Sequence, residues 1–476
     1  MDQISSYTAY TFQLDKKRAF RFVWGVIILI SIFSLVSQNS LLIFTGLLLL
    51  PFITRFFWRP GEPSIFLFAF LFLWVSITIK VFYSLFSGIP FEELFEFRDR
   101  IFQSYYLNLY GLVGLMLGTY FVLRNTPSRL REFEEEILKF RTGRVIIFYL
   151  LYNLLIVFLF RFRYVLPGLF QGIVALNQIK LGLIFFLFYL SLRKKEFRFL
   201  VLLLFAFEFV RGFVSFFANF KEVAIILFMT YVAFKRRFTQ NQLTMGILFA
   251  VIAFQLGIIW TAVKSDFRMF LSGGERSQKV VVSNEEALYK MIELLGDYNL
   301  ERNSMAVAAL VDRVSYIDYF SASMNYIPAV QPHENGKVWY DAVMHILQPR
   351  IFFPNKPSID DSQHLMKYTG IYVADASMGT SISLGFMGDS YVDFGSTFLI
   401  FPVFVLGMLI GWIYKNILLK TRSPVWAYVL VIPIYEMTYN LGVSAKKMIG
   451  ILIMFFLVVL LFRKFVIPRI DRFIRI

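Results

Sequence analysis

The stretch SIFLFAFLFLWVSITIKVFYS, residues 64–84, decides the fold class of this chain. Its only charged residue is Lys80. A helix of about 20 predominantly apolar residues rises about 30 Å, which is the thickness of the hydrocarbon core of a bilayer. The stretch therefore predicts a membrane-spanning helix.

Apolar runs of similar length recur along the chain. Eleven further runs lie at 22–38, 41–57, 104–123, 145–160, 173–191, 199–219, 222–238, 243–263, 395–414, 425–442 and 447–462. They predict an all-α polytopic membrane protein with about twelve transmembrane helices, the first of them a retained span and not a cleaved signal. With 58% hydrophobic and 17% charged residues, a soluble dehydrogenase, nuclease or repressor is excluded. Because the chain has no Cys, disulfides and thiolate sites are excluded as well.

The distribution of basic residues predicts the topology. With the N-terminus inside, the cytoplasmic segments hold 27 Lys and Arg, whereas the short outer loops hold seven. The positive-inside rule then places both termini in the cytoplasm. Much of the net charge of +16 follows from this topology, so it does not indicate nucleic-acid binding.

One long polar segment divides the chain into three parts. The prediction is an N-terminal membrane bundle of about nine spans at 1–263, one large helical outer domain at 264–394, and about three C-terminal spans with a cytoplasmic tail at 395–476. Within the outer domain, the stretches Glu285–Leu295 and Met305–Tyr319 have the periodicity of amphipathic helices. A loop of this length in a compact protein is usually functional.

Ionisable residues inside the predicted spans are costly and therefore informative. All five lie in the outer half of their spans: Lys80, Lys180, Glu208, Arg211 and Glu436. One interpretation is structural, with Lys80 reaching the interface and Glu208 paired with Arg211 on one helical face. The other interpretation is that the three cations among them, with Lys221 and the Lys446–Lys447 pair, bind an anionic headgroup.

Three motifs and two arginines give the chain a family resemblance. The motifs are GKVWY (336–340), PRIFFPNKP (349–357) and GDSYVDFG (388–395), and the arginines are Arg313 and Arg211, which precedes Gly212. Over residues 310–412 the sequence resembles the bacterial O-antigen and oligosaccharide repeat-unit polymerases, the Wzy-like family. It departs from that pattern at Asp389, where the family favours Glu, and at Asp393, where it favours Asn.

The resemblance implies a GT-C-like, inverting glycosyltransferase that uses neither metal nor cofactor. It would lie in the bacterial inner membrane with its active site facing the periplasm, and serve O-antigen, capsule or exopolysaccharide biosynthesis. It would transfer a growing glycan from one undecaprenyl pyrophosphate to another lipid-linked repeat unit. The expected partners are these donor and acceptor lipids, membrane lipids, a chain-length regulator and a flippase, with no nucleic acid.

The same resemblance, with the needs of the reaction, implies the site residues. A pyrophosphate leaving group requires preorganised positive charge, for which the candidates are Arg211, Arg313, Arg350 and Lys356. The acceptor hydroxyl requires a base, for which they are His345, Asp389 and Glu222. Trp339, Tyr340 and Tyr391 are the candidates for stacking on sugar rings. A metal site built from His333, His345 and His364 is disfavoured, since their spacings match no local ligand pattern.

Two other functions remain open at this point. An O-antigen ligase shares the outer-face site and the pyrophosphate donor but delivers glycan to a different acceptor. A transporter or flippase also fits about twelve spans, with Glu208, Arg211 and Glu436 along a translocation path. Against transport, the ionisable residues cluster in one half of the membrane and not at its midplane.

Overall fold

The protein is almost entirely helical. A computed structural model describes residues 11–13, 16–35, 37–162, 167–214, 220–235, 237–274, 280–297, 299–349, 352–353, 355–373 and 381–475. The first ten helices are α1 (Lys16–Ser34), α2 (Ser40–Leu47), α3 (Leu49–Phe57), α4 (Ile65–Ser87), α5 (Ile101–Leu123), α6 (Leu130–Glu136), α7 (Thr142–Arg161), α8 (Phe170–Lys194), α9 (Arg198–Val214) and α10 (Phe220–Phe234).

The remaining twelve helices include those of the predicted outer segment. They are α11 (Gln240–Leu271), α12 (Asn284–Gly296), α13 (Leu300–Val314), α14 (Asp318–Tyr326), α15 (Lys337–Leu347), α16 (Asp361–Thr369), α17 (Gly385–Phe398), α18 (Ile400–Lys420), α19 (Pro424–Val431), α20 (Ile434–Thr438), α21 (Ala445–Leu461) and α22 (Ile467–Ile474). The all-α prediction misses one short antiparallel pair, in which β1 (Thr11–Gln13) lies beside β2 (Arg237–Thr239).

Seven helical segments within the described ranges are long and apolar enough to cross a membrane: Ser40–Phe57, Ile65–Ser87, Ile101–Leu123, Thr142–Arg161, Phe170–Lys194, Ile400–Lys420 and Ala445–Ile474. This confirms a helical, membrane-embedded protein. Of the other predicted spans, 22–38 and 425–442 correspond to shorter apolar helices. The remaining three, 199–219, 222–238 and 243–263, overlap α9, α10 and α11. Residues 237–238 of the second lie in β2, and residues 215–219 and 236 lie outside the described residues. Twelve spans and a periplasmic domain stay predictions.

Two predicted spans have different bounds for backbone reasons. The span predicted at 395–414 is divided between the end of α17, which kinks at Gly395 with a φ of 65°, and α18, which begins at Ile400. The span predicted at 425–442 is interrupted at Pro433, which lacks the N–H that a continuous helix requires.

Glycines set the closest helix contacts in the bundle. A Cβ atom on Gly118 of α5 would lie 2.0 Å from the carbonyl oxygen of Phe404, and one on Gly407 of α18 would lie 2.3 Å from that of Leu115. On α8, a Cβ on Gly182 would lie 1.8 Å from the carbonyl oxygen of Val429. Small residues let helix backbones approach where lipid offers no hydrophobic drive for association. These contacts fix α5 against α18 and α8 against α19.

The predicted outer segment is built from short helices. The amphipathic helix predicted at Glu285–Leu295 is confirmed as α12, whose N-cap Ser283 forms a capping box with Glu286. The helix predicted at Met305–Tyr319 is wrong in its bounds, because α13 ends at Val314 and α14 starts at Asp318. Helix α11 packs against both α12 and α13, and α14 packs against α5, α16 and α17.

Candidate functional site

Four cations from three helices form what we call the basic cluster: Lys221 at the start of α10, Lys264 and Arg268 near the end of α11, and Arg313 near the end of α13. Burial, together with the positive charges of Arg313, Arg268 and Lys221, lowers the pKa of Lys264 to about 8. Burial and the charge of Arg313 also lower the pKa of Arg268. Like charges that act on one another in this way favour the binding of an anion, which would relieve their repulsion.

Lys80 fixes the helix that carries Arg313. Its Nζ lies 2.8 Å from Oδ1 of Asp312 and donates to the Leu94 carbonyl at 2.6 Å. It also lies 4.0 Å from the ring centroid of Phe95, and the residue is only 4% exposed. The ammonium of Lys80 is therefore buried and paired within the protein. It joins α13 to α4 and positions the neighbouring Arg313.

Glu222, one of the predicted bases, adjoins the basic cluster. Its Oε1 lies 3.9 Å from the Lys221 Nζ, and the Lys221 Nζ in turn lies 5.8 Å from the ring centroid of Tyr439. Glu222 is buried and its carboxylate interacts with the Tyr439 side chain, but its Oε2 has no hydrogen-bond partner among the described residues. A buried carboxylate oxygen without a partner is costly, so this oxygen is available to a ligand donor.

A histidine–aspartate dyad lies at the same end of the bundle. Nε2 of His364, on α16, is 2.8 Å from Oδ1 of Asp389, on α17. The other oxygen, Oδ2, accepts the Ala445 backbone N–H at 2.8 Å. Asp389 is 1% exposed, whereas the His364 side chain is 25% exposed. Both carboxylate oxygens are therefore engaged, and His364 is the member that a substrate can reach.

The dyad defines the chemistry of the imidazole. Because a carboxylate only accepts, Nε2 of His364 donates to it, and Nδ1 of the neutral ring is unprotonated. Burial opposes protonation of this ring, but the negative charge of Asp389 and its hydrogen bond outweigh that effect and raise the pKa of His364. Asp389, predicted as a base, instead orients His364, which the sequence analysis considered only as a metal ligand.

A second ion pair ties the dyad to the start of α21. Asp361 accepts the Ser444 hydroxyl at 2.9 Å and pairs with the Lys447 Nζ at 2.7 Å. The neighbouring Lys446 acts on His364 through its positive charge. The segment 439–447 therefore carries Tyr439 beside the basic cluster at one end and the contacts of the dyad at the other. The basic cluster and the dyad flank this one segment.

Helix α15 brings the three sequence motifs together. At its N-terminus, Asp393 accepts the backbone N–H groups of Val338 and Trp339 at 3.0 and 2.9 Å, and burial raises the pKa of this carboxyl. At its C-terminus, Lys356 donates to the carbonyl oxygens of His345 and Gln348. Lys356, predicted to bind pyrophosphate, thus caps a helix whose last carbonyls favour a cation. His345, a predicted base, lies in this last turn.

The three aromatic candidates for sugar binding differ in exposure. Tyr340 is 63% exposed, and Trp339 is half-buried with its indole N–H 3.2 Å from the Ser390 Oγ. Tyr391 is only 3% exposed, its ring centroid lies 5.4 Å from that of Phe320, and its hydroxyl donates to the Ile327 carbonyl. The ring of Tyr391 is thus part of the packing, whereas the rings of Trp339 and Tyr340 are accessible.

The predicted pyrophosphate residues do not form one group. Arg211 and Lys180 both pair with Oε2 of Glu208, at 3.0 and 2.6 Å, and Tyr149 donates to Oε1 of the same carboxylate. The structural interpretation of Arg211 as an ion-pair partner of Glu208 is confirmed. Arg350 lies outside the described residues. Of the three described candidates, only Arg313 joins the basic cluster.

Sequence reasoning missed Lys264 and Arg268 as site residues. They are four positions apart at the end of an apolar run, which places them on one helical face. Two cations on one helical face at the end of an apolar run were the sequence feature from which this part of the site could be predicted.

Comparison with known proteins adds one finding. A family model described as a domain of unknown function matches residues 63–418 of the 476. The chain belongs to the DUF8712 family. The DUF8712 region contains the basic cluster and the dyad, whereas the segment 439–447 follows it. No curated protein and no solved structure matches the chain.

Proposed function

We propose that this DUF8712 protein is a glycosyltransferase that polymerises lipid-pyrophosphate-linked oligosaccharide repeat units at the outer face of the bacterial inner membrane. The observation that carries the proposal is the basic cluster, which concentrates positive charge where a lipid pyrophosphate would approach. The resemblance of residues 310–412 to the Wzy-like polymerases supports the same reaction.

The basic cluster serves the donor. As the bond between the anomeric carbon and the pyrophosphate oxygen breaks, negative charge develops on the leaving pyrophosphate. Arg313 and Arg268 present planar guanidinium groups suited to phosphate oxygens, and Lys221 and Lys264 add point charges. Arg and Lys therefore supply the charge that Mg²⁺ would otherwise provide.

The dyad serves the acceptor. Nδ1 of neutral His364 takes the proton of the acceptor hydroxyl while that oxygen attacks the anomeric carbon of the donor. The new glycosidic bond forms with inversion as undecaprenyl pyrophosphate leaves. Asp389 holds the ring in the tautomer that this step requires. Glu222, with its unpartnered oxygen beside Lys221, is the second candidate base.

The test is a reaction with purified protein in detergent and authentic lipid-linked repeat units. We expect longer glycans and released undecaprenyl pyrophosphate with no ion gradient and in the presence of EDTA. A transporter carries out neither reaction. Release of pyrophosphate only when a different glycan acceptor is supplied would favour a ligase, and a requirement for a divalent ion would contradict the cationic mechanism.

Arg313→Gln tests the basic cluster in the same assay. A hydrogen bond to a charged group contributes about 1.5–3 kcal/mol, so we expect kcat/KM to fall about 10–150-fold. Arg302→Gln is the matched control, since Arg302 lies on the same helix outside the basic cluster. Equal activity of the two variants would remove Arg313 from the donor site.

A further inference from the structure

A charged cavity lies at the opposite end of α4 from Lys80. It has a volume of about 660 Å³ and lies between the start of α1, the end of α3, the turn before α4, the end of α5 and Tyr414 of α18. Ligand pockets in proteins typically measure about 300–1,000 Å³. Since Lys80 is 15 residues beyond the first residue of α4, the two ends are about 22 Å apart along the helix.

The rim of this cavity is cationic. It is lined by Lys17 and Arg21 of α1, Arg55 of α3, and Arg124, which follows α5. All four are exposed, and Lys17, Arg21 and Arg55 form no ion pair within the described parts of the chain. Positive charge of this kind, left without counterions in the protein, favours a phosphate group at the rim.

The floor of the cavity has the opposite charge. Glu62 lines it, is 5% exposed, and has no hydrogen-bond partner for Oε2 among the described residues. The guanidinium of Arg59 lies 3.8 Å from this oxygen, beyond hydrogen-bond distance. Its N–H groups donate instead to the carbonyl oxygens of Leu123 and Thr126, at 3.1 and 3.3 Å. A buried carboxylate oxygen in this state requires a donor, preferably a charged one.

Aromatic rings form the walls between rim and floor. They belong to Phe56, Phe57, Phe66, Tyr120 and Tyr414. The faces of such rings attract an ammonium group in a dry site, and this adds to the attraction of Glu62. Two exposed rings adjoin lining residues of the cavity: Phe22, 68% exposed, follows Arg21 in α1, and Phe52, 50% exposed, has its ring centroid 6.0 Å from that of Phe56. They offer an apolar surface to acyl chains.

We propose that this cavity binds a phospholipid whose headgroup carries both a phosphate and a primary ammonium, the chemistry of phosphoethanolamine. The phosphate lies among Lys17, Arg21, Arg55 and Arg124, and the ammonium lies against Glu62 within the aromatic walls. The acyl chains follow Phe22 and Phe52. The bound lipid joins α1 to α3 and α5 on the side that the charge distribution predicts to be cytoplasmic. This site is separate from the basic cluster and does not depend on the proposed function.

Native mass spectrometry of the purified full-length protein tests the proposal. The protein is titrated with phosphatidylethanolamine or phosphatidylglycerol of the same acyl chains. We expect phosphatidylethanolamine to bind at least about tenfold more tightly, because only its ammonium satisfies Glu62. Equal binding would overturn the phosphoethanolamine assignment. Glycerophosphoethanolamine, which lacks acyl chains, should bind at least about tenfold more weakly than the lipid, and equal binding would overturn a lipid as the occupant.

Two variants separate the two charges of the headgroup. Glu62→Gln is expected to abolish the preference for phosphatidylethanolamine, whereas the double variant Arg21→Gln/Arg55→Gln should weaken both lipids about tenfold or more. Both arginines are exposed, so the double variant tests the site even where Glu62→Gln does not fold. The control is Arg131→Gln, an exposed arginine on the same predicted side that pairs with Glu135 outside the cavity. Unchanged binding by the double variant would overturn the site.

Discussion

Asp389→Asn tests the dyad by replacing one carboxylate oxygen with an amide NH₂ group. Asp389 accepts from two donors, the Ala445 N–H and Nε2 of His364, each at 2.8 Å. The asparagine carbonyl can replace only one carboxylate oxygen. It should turn toward Ala445, because a backbone N–H can only donate, whereas an imidazole nitrogen can also accept.

The consequence falls on the tautomer of His364. The amide NH₂ of the variant would donate to Nε2, so the ring proton would move to Nδ1, the atom that must accept the substrate proton. Loss of one charge-assisted hydrogen bond costs about 1.5–3 kcal/mol, or about 10–150-fold. Loss of general-base catalysis costs up to about 10⁴-fold. We therefore expect kcat to fall between these limits while KM for the lipid donor changes little.

The assay is glycan lengthening by purified variants, with thermal unfolding followed in the same samples. Asp341→Asn is the control, since Asp341 pairs with Lys337 on the surface of α15 and not with the dyad. A folded Asp389→Asn protein with a rate within about threefold of the wild type would refute the role of His364. In that outcome Glu222→Gln becomes the variant that must lose activity.

Three further predictions follow from the charges, the packing and the topology. The pH profile of kcat/KM should be bell-shaped: it rises as His364 loses its proton through a pKa raised above 6.5, and it falls as Lys264 loses its charge near its pKa of about 8. Lys264→Arg should remove the alkaline limb, and a profile without that limb in the wild type would contradict the basic cluster. Gly182→Ala should lower the stability in detergent by about 1–3 kcal/mol, measured by thermal unfolding, because its Cβ would meet the Val429 carbonyl at 1.8 Å; Gly172→Ala, on the same helix with nothing within 4 Å, should not. Cysteines at Val330 and Glu135, both exposed, should react with an impermeant maleimide in intact cells only at Val330, and labelling of Glu135 instead would invert the predicted topology.

The sequence by itself determined that this is a helical membrane protein and where most of its helices lie. Runs such as 64–84 are decisive because every backbone polar group in hydrocarbon must be bonded within its own helix, so apolar length alone predicts the element. Capping residues such as Ser283 and the pairing of Glu208 with Arg211 are also local, since both partners lie within one turn of helix.

Only the tertiary structure decided which charged residues meet. Lys80 and Asp312 are 232 positions apart, and His364 reaches Asp389 only because α16 and α17 pack at the same end of the bundle. Periodicity fixes the face of a helix on which a side chain lies, but not the helix that this face contacts. That choice depends on close backbone approaches such as Gly118 against Phe404 and Gly182 against Val429. The basic cluster depends on other contacts between distant segments: α13 packs against α11 and α4, and the Lys80–Asp312 ion pair holds it there, which brings Arg313 to Lys264 and Arg268.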